Sequence, residues 1–334
     1  MKKITLSVEM FPNLVLHLLA TSGVGYDKSY GKYFKATLRK QEQEFLQKRA
    51  KRFDFKSSGE LQIFGFTLPS YFNPEPNKIE ELYDIIAECI ERRSLLPLEK
   101  VYPTEIENRK KWIGLEKNIS SSTYPLLAQD LRVLGKILIN YYQRFYKDFW
   151  NVKRREIDKV KSNLIENLPK KDIIKMWEDI TGLKFLLPCF NPVLCEGNKE
   201  IDGISLGYER VIFYFKRDEE ELIDFIIHEI GAHILTNLLR GQNIRSLFYK
   251  DLHLSKRLLE VFANFLKLRI LDELGLEEKF SVIKRIKGER ELRIVEEVYN
   301  RHAKEGIAKV FEEAYRTMKG AKHDKSRGAR KGIK

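Results

Sequence analysis

Apolar residues recur at helical spacing over most of this chain. Between Tyr124 and Phe149 they fall at Leu127, Leu131, Leu134, Ile137, Leu138 and Tyr141, which predicts a long amphipathic helix. The same spacing predicts helices over residues 14–22, 30–52 and 78–93, and a shorter one over 172–180 stopped at Thr181-Gly182. The charged segment 153–167 either continues the long helix or forms an exposed helix of its own. Residues 64–76, rich in Phe, Pro, Tyr and Asn, read as an irregular loop.

The pattern changes after residue 183. Short extended runs are expected at 184–187, 193–195, 204–206 and 210–215, and the last two flank Gly207-Tyr208-Glu209 as in a hairpin. Asp218-Glu219-Glu220-Glu221 then opens a helix, with its carboxylates at the positive end of the dipole. Further helices are expected over 255–274 and 289–318. The predicted architecture is α+β and mainly helical. It has a helical N-terminal region (1–168), a domain (169–318) in which a small antiparallel sheet precedes a histidine-bearing helix, and a flexible basic tail (319–334).

Composition narrows the classes. With 334 residues, 43% hydrophobic and 33% charged, the chain is a folded globular protein and not a disordered one. Cys89, Cys189 and Cys195 form no C-x-x-C pair and leave one thiol over, which argues for reduced core cysteines. Met1-Lys2-Lys3 leads into a strand-like alternation, and the apolar run 11–20 is short and broken by Pro12, Asn13 and His17. The expectation is a cytoplasmic location with no membrane segment. The net charge of +13 is concentrated late: Arg316, Lys319, Lys322, Lys325, Arg327, Arg330, Lys331 and Lys334 face only Asp324. Such a tail is either solubilising or an arm for weak association with nucleic acid.

The chemistry-bearing motif is His228-Glu229-Ile230-Gly231-Ala232-His233, preceded by the apolar run Leu222-Ile223-Asp224-Phe225-Ile226-Ile227. Two histidines and a glutamate are costly to bury unless they are paired or hold a metal. On a regular helix, residues five apart diverge by about 140°. A π-bulge of about 4.4 residues per turn reduces this to roughly 50°, and Gly231 is the residue expected to absorb it. A catalytic zinc then needs a third protein ligand and an open position. Glu260, set among Leu258, Leu259, Val261 and Phe262, is the candidate, with Arg257 as an alternative salt-bridge partner. Asn264, one turn on, is a candidate to hydrogen-bond a ligating histidine. Glu229 is positioned in sequence to act as the general base. Tyr208, Tyr249 and His253 are weaker candidates for stabilising an oxyanion, while His17 reads as structural.

His-Glu-Ile-Gly-Ala-His-Ile-Leu-Thr resembles the H-E-x-x-x-H core of the gluzincin-like tyrosine carboxypeptidase family, and Leu259-Glu260-Val261-Phe262-Ala263 stands where that family has a Q-E-G-L-A-like segment. The Glu and Ala are kept here and the intervening Gly-Leu is not. The resemblance spans residues 222–263. It implies a zincin-like metallopeptidase domain in which His228, His233 and Glu260 bind Zn2+, Glu229 is catalytic, and the substrate is a peptide or protein. The alternative from a different class is a basic nucleic-acid-associated protein whose histidine site is structural or holds a non-catalytic metal.

Overall fold

Among the described residues, helix accounts for 74%, and strand is confined to a small mixed sheet. The computed structural model describes residues 2–25, 27, 29–53, 59–110, 119–120, 122, 124–199, 203–276 and 289–330. They divide into a larger unit (4–167 and 189–218) and a smaller unit (1–3, 168–188 and 219–334).

In the larger unit, strand β1 (Lys3–Ile4, shared at the boundary) is followed by helix α1 (Met10–Ser22), which is buried along nearly its whole length. Helix α2 (Ile79–Arg92) carries Glu80 and Glu81 in its first turn and Arg92 in its last, as the helix dipole favours. It packs on α3 (Leu127–Tyr141) through the expected apolar stripe. The long helix does not stop there. A wide π-turn over Tyr142–Tyr146 passes it into α4 (Lys147–Asn167), so the charged segment is its continuation.

Two expectations about its helices and loops fail in this unit. Residues 64–76 are mostly helical: Glu60–Gln62, a π-turn at Ile63–Thr67 and Leu68–Phe72 follow one another. Pro69 follows the π-turn, within the continuous helical run. Burial of Phe64, Phe66, Leu68 and Tyr71 supplies the driving force. The helix expected over 30–52 is instead broken at Leu38 and Arg39, which are extended. The Arg39 N–H donates to the Glu42 carboxylate at 2.8 Å, and a fresh helix starts there.

His17 is at the centre of this unit's aromatic core. Its Nδ1 lies 2.7 Å from the Tyr30 hydroxyl and its Nε2 2.9 Å from that of Tyr141. Rings of Phe34, Phe145, Tyr146 and Phe149 enclose it. Burial, reinforced by the charge of Lys153, holds its pKa down at about 3. The imidazole is thus neutral and fully satisfied, as a structural histidine should be.

The remaining strands are β2 (Cys189–Cys195), β3 (Ile204–Ser205) and β4 (Arg210–Tyr214), and the sheet order is β1-β2-β4-β3. The hairpin forms, with Ile204 opposite Ile212 in antiparallel register. The sheet as a whole is mixed and not antiparallel, because β2 pairs β4 in parallel with Val193 opposite Ile212. Val193-Leu194-Cys195 and Val211-Ile212-Phe213 are continuous buried runs, the pattern of strands covered on both faces.

In the smaller unit, Asp172 accepts from the Lys175 N–H at 2.9 Å to start α5 (Ile173–Thr181), and Gly182 at φ 68° closes it. Residues 184–187 are irregular, with the Phe185 N–H donating to Glu178 and not to a strand. Helix α6 (Glu219–Leu235) follows, then α7 (Leu252–Glu273), whose N-terminus is capped by Asp251. The helix expected over 289–318 is two, α8 (Glu289–His302) and α9 (Ile307–Arg330), separated by a turn at Gly306 with φ 92°. The basic segment is helical as far as Arg330, in keeping with its Ala, Lys and Arg content, and 331–334 lie outside the described residues. The three cysteines are free, two buried and Cys189 half-buried. Glu219–Arg240 is long and apolar enough to cross a membrane, but 67% of its most apolar window is buried inside the protein, as in a core helix.

Candidate functional site

The motif lies on α6, which packs against α7 and α5 within the smaller unit. Helix α6 is regular from Glu219 to Leu235, and the expected π-bulge near Gly231 is absent. Among the described residues, π-turns occur at Ile63–Thr67 and Tyr142–Tyr146 instead. Gly231 has a different task. A Cβ there would meet the Trp177 ring at 2.2 Å, so only glycine admits the indole. Trp177 uses that opening to donate its Nε1–H to the Ile227 carbonyl at 2.9 Å. The indole thereby fixes the turn of α6 that carries His228.

The regular helix sorts the motif into two pairs. His228 Nε2 stands 3.3 Å from Glu260 Oε2 on α7, joining the two helices. His233 Nε2 stands 3.6 Å from Glu229 Oε2, one turn back on its own helix. The His233 side chain is 1% exposed and that of His228 12%, whereas that of Glu260 is 65% exposed despite its apolar sequence neighbours. Glu260 thus stands at the solvent rim of the cluster. Arg257 is engaged elsewhere, on Glu291 at 2.7 Å, and Asn264 donates to the Glu260 backbone carbonyl instead of to a histidine.

Electrostatics bind the first pair tightly. Burial pushes the His228 imidazole down, but its hydrogen bond to Glu260 and the charges of Glu229 and Glu260 outweigh this and leave it above its ordinary value. The hydrogen bond from His228 holds the Glu260 carboxyl below the usual range against the smaller effect of desolvation, with His228 and His233 charges assisting. The chain matches no protein-family model, no curated protein and no solved structure.

The donor set suits a metal in part. Imidazole nitrogen and carboxylate oxygen are zinc donors, and two such atoms bound at about 2.0–2.1 Å in a tetrahedron lie roughly 3.3 Å apart. The His228–Glu260 separation fits that edge. His233 does not join them, and among the described residues no three His, Cys, Asp or Glu side chains gather as a metal cage. The weaker candidates contribute nothing here: Tyr249 and His253 are exposed, and Tyr208 is buried in the larger unit. Sequence reading missed the neighbouring buried ion pair, in which Lys267 on α7 donates to Asp224 Oδ2 on α6 at 2.7 Å. Two opposite charges embedded in apolar runs were the available signal.

Proposed function

We propose that this protein is a metal-dependent peptidase with His228, His233 and Glu260 as zinc ligands and Glu229 as general base. The observation that carries the reading is the His228–Glu260 pair, held between adjacent helices at the separation of two ligands to one metal, with Glu229 next to it in sequence. Zinc at such a site supplies a water of lowered pKa and polarises the scissile carbonyl. Glu229 accepts the water's proton and passes it to the leaving amine. Both remaining roles, third ligand and general base, require the Glu229–His233 pair to separate. The partly open rim at Glu260 suits access by a peptide chain. Peptide cleavage by the purified chain, measured after EDTA and again after added zinc, tests this. Loss on chelation, recovery with zinc and inactivity of Glu229→Gln are expected; cleavage indifferent to both sinks the reading.

One observation favours a second reading, association with nucleic acid. Seven basic residues from Lys319 onward stand against Asp324 alone, whereas Arg316 is already engaged by Glu312 and Glu313. That reading expects salt-sensitive RNA or DNA binding that disappears when residues 319–334 are removed.

A further inference from the structure

The excess charge of this chain is gathered in two places. Residues 28–56 carry ten Lys and Arg against three Asp and Glu, residues 319–334 carry seven against one, and the rest of the chain is balanced. The first of these segments belongs to the larger unit. Its cations lie at the surface: Lys32, Lys35, Arg39, Lys48 and Lys51 are exposed and, among the described residues, have no acidic partner. Arg49, by contrast, is committed to the buried Asp130 at 2.7 Å. Between Lys32 and Lys35 stands Tyr33, 80% exposed, more than any other large apolar residue among those described. The short helix Gly31–Phe34 that carries it is anchored from below. Tyr30 is buried, and the Phe34 ring lies 4.9 Å from that of Tyr30 and 5.3 Å from that of Phe149. Tyr33 is therefore held out in water on a supported turn of backbone.

An exposed aromatic ring among unpaired cations calls for an anionic partner with a flat face to stack. A folded protein partner needs an interface of about 800 Å² per side with an apolar core, which one tyrosine among lysines does not offer. The bases of a duplex cover one another, whereas those of a single strand are free to stack on a tyrosine while cations take the phosphates. We propose that the Tyr33 surface binds single-stranded nucleic acid, with the Tyr33 ring stacking on a base and Lys32, Lys35 and Arg39 contacting neighbouring phosphates. This site is separate in sequence from the basic tail and independent of the peptidase reading. Recognition of this kind tolerates any sequence, since every base has a π-face.

The test is a titration of the full-length chain into a fluorescein-labelled oligouridylate of about 15 nucleotides, followed by anisotropy. Tyr33→Ala is expected to bind about 5–150-fold more weakly, and Tyr33→Trp as well as wild type. Lys32→Ala/Lys35→Ala is expected to lower the slope of log affinity against log salt by about 1.4, the share of two single-strand phosphate contacts. All three positions are exposed, so these variants keep the wild-type melting temperature. Heparin, a polyanion without bases, is expected to bind wild type and Tyr33→Ala equally. Salt-sensitive binding of the oligouridylate with no loss in Tyr33→Ala overturns the proposal and leaves the tail as the nucleic-acid contact, and a preference for duplex over single strand overturns it as well. If neither single strand nor duplex is bound, this surface and the tail reading fail together, and the peptidase reading is untouched.

Discussion

His17 and His228 both sit in helices with apolar sequence neighbours, and the protein treats them in opposite ways. His17 is given two tyrosine hydroxyls, one for each ring nitrogen, inside an aromatic enclosure. His228 is given a carboxylate on one nitrogen and nothing on the other. Burial drives the first imidazole to about 3, while the anions around the second raise it above its ordinary value. The lesson is that the partners, and not the apolar surroundings, separate a structural histidine from one equipped for chemistry. Hydroxyls satisfy a neutral ring, whereas carboxylates prepare a ring to carry a proton or share a cation.

The sharpest contrast is catalytic. Glu229→Gln is expected to lower kcat for peptide cleavage by about 10²–10⁴ with little change in melting temperature, whereas His17→Gln leaves kcat unaffected; equal losses of kcat would break the comparison. Stability reverses the ranking. His17→Ala empties an aromatic enclosure and removes one partner from each of two tyrosine hydroxyls, which keep Glu196 and Thr37, so urea denaturation is expected to register a loss of about 3–5 kcal/mol, mostly from the cavity.

The third contrast lies in pH. The folded pKa of His17 is below its ordinary 6.5, so its contribution is present above pH 6.5 and is lost as pH falls toward 3. The expected slope is about 1.4 kcal/mol per pH unit, absent in His17→Gln. The folded pKa of His228 is raised, so its contribution is full below 6.5 and is lost as pH rises through the folded value. Glu260 is lowered, so its share is present above 4.5 and is lost as pH falls. In metal-free protein the pair therefore helps most between those two values, and denaturation of His228→Gln across pH 4–8 checks it. The smallest effect is Gly231→Ala, expected to cost about 1–3 kcal/mol by overpacking against Trp177, read as a lower melting temperature.

Much of the helical framework was legible because its signals are local. The stripe from Leu127 to Tyr141, the acidic start of α6 at Glu219 and the Asp172 and Gly182 caps need only their neighbours to be read. The hairpin was legible for the same reason. What escaped was decided at a distance. The parallel register of β2 on β4 depends on what covers both faces, and the helix over Leu68–Phe72 depends on burial that its Phe- and Pro-rich composition hides. The pairing of His228 with Glu260 followed from the motif and an acidic residue in an apolar run. The bulge at Gly231 did not follow, because the glycine answers to Trp177, 54 positions earlier in the chain. Asp224 was visible as a residue but not as a partner, since nothing local ties it to Lys267.

The Trp177–Gly231 contact also constrains how this protein can change. A side chain at position 231 is blocked while the indole is present, yet a smaller residue at 177 removes the obstruction. A larger residue at 231 therefore needs a smaller one at 177, and either order crosses a destabilised intermediate, overpacked in one case and with a cavity in place of the buried indole in the other. Losing the indole also releases the Ile227 carbonyl just before the first motif histidine. The residue that most restricts drift in the histidine helix is thus a tryptophan on another helix, and variation at 231 is contingent on variation at 177.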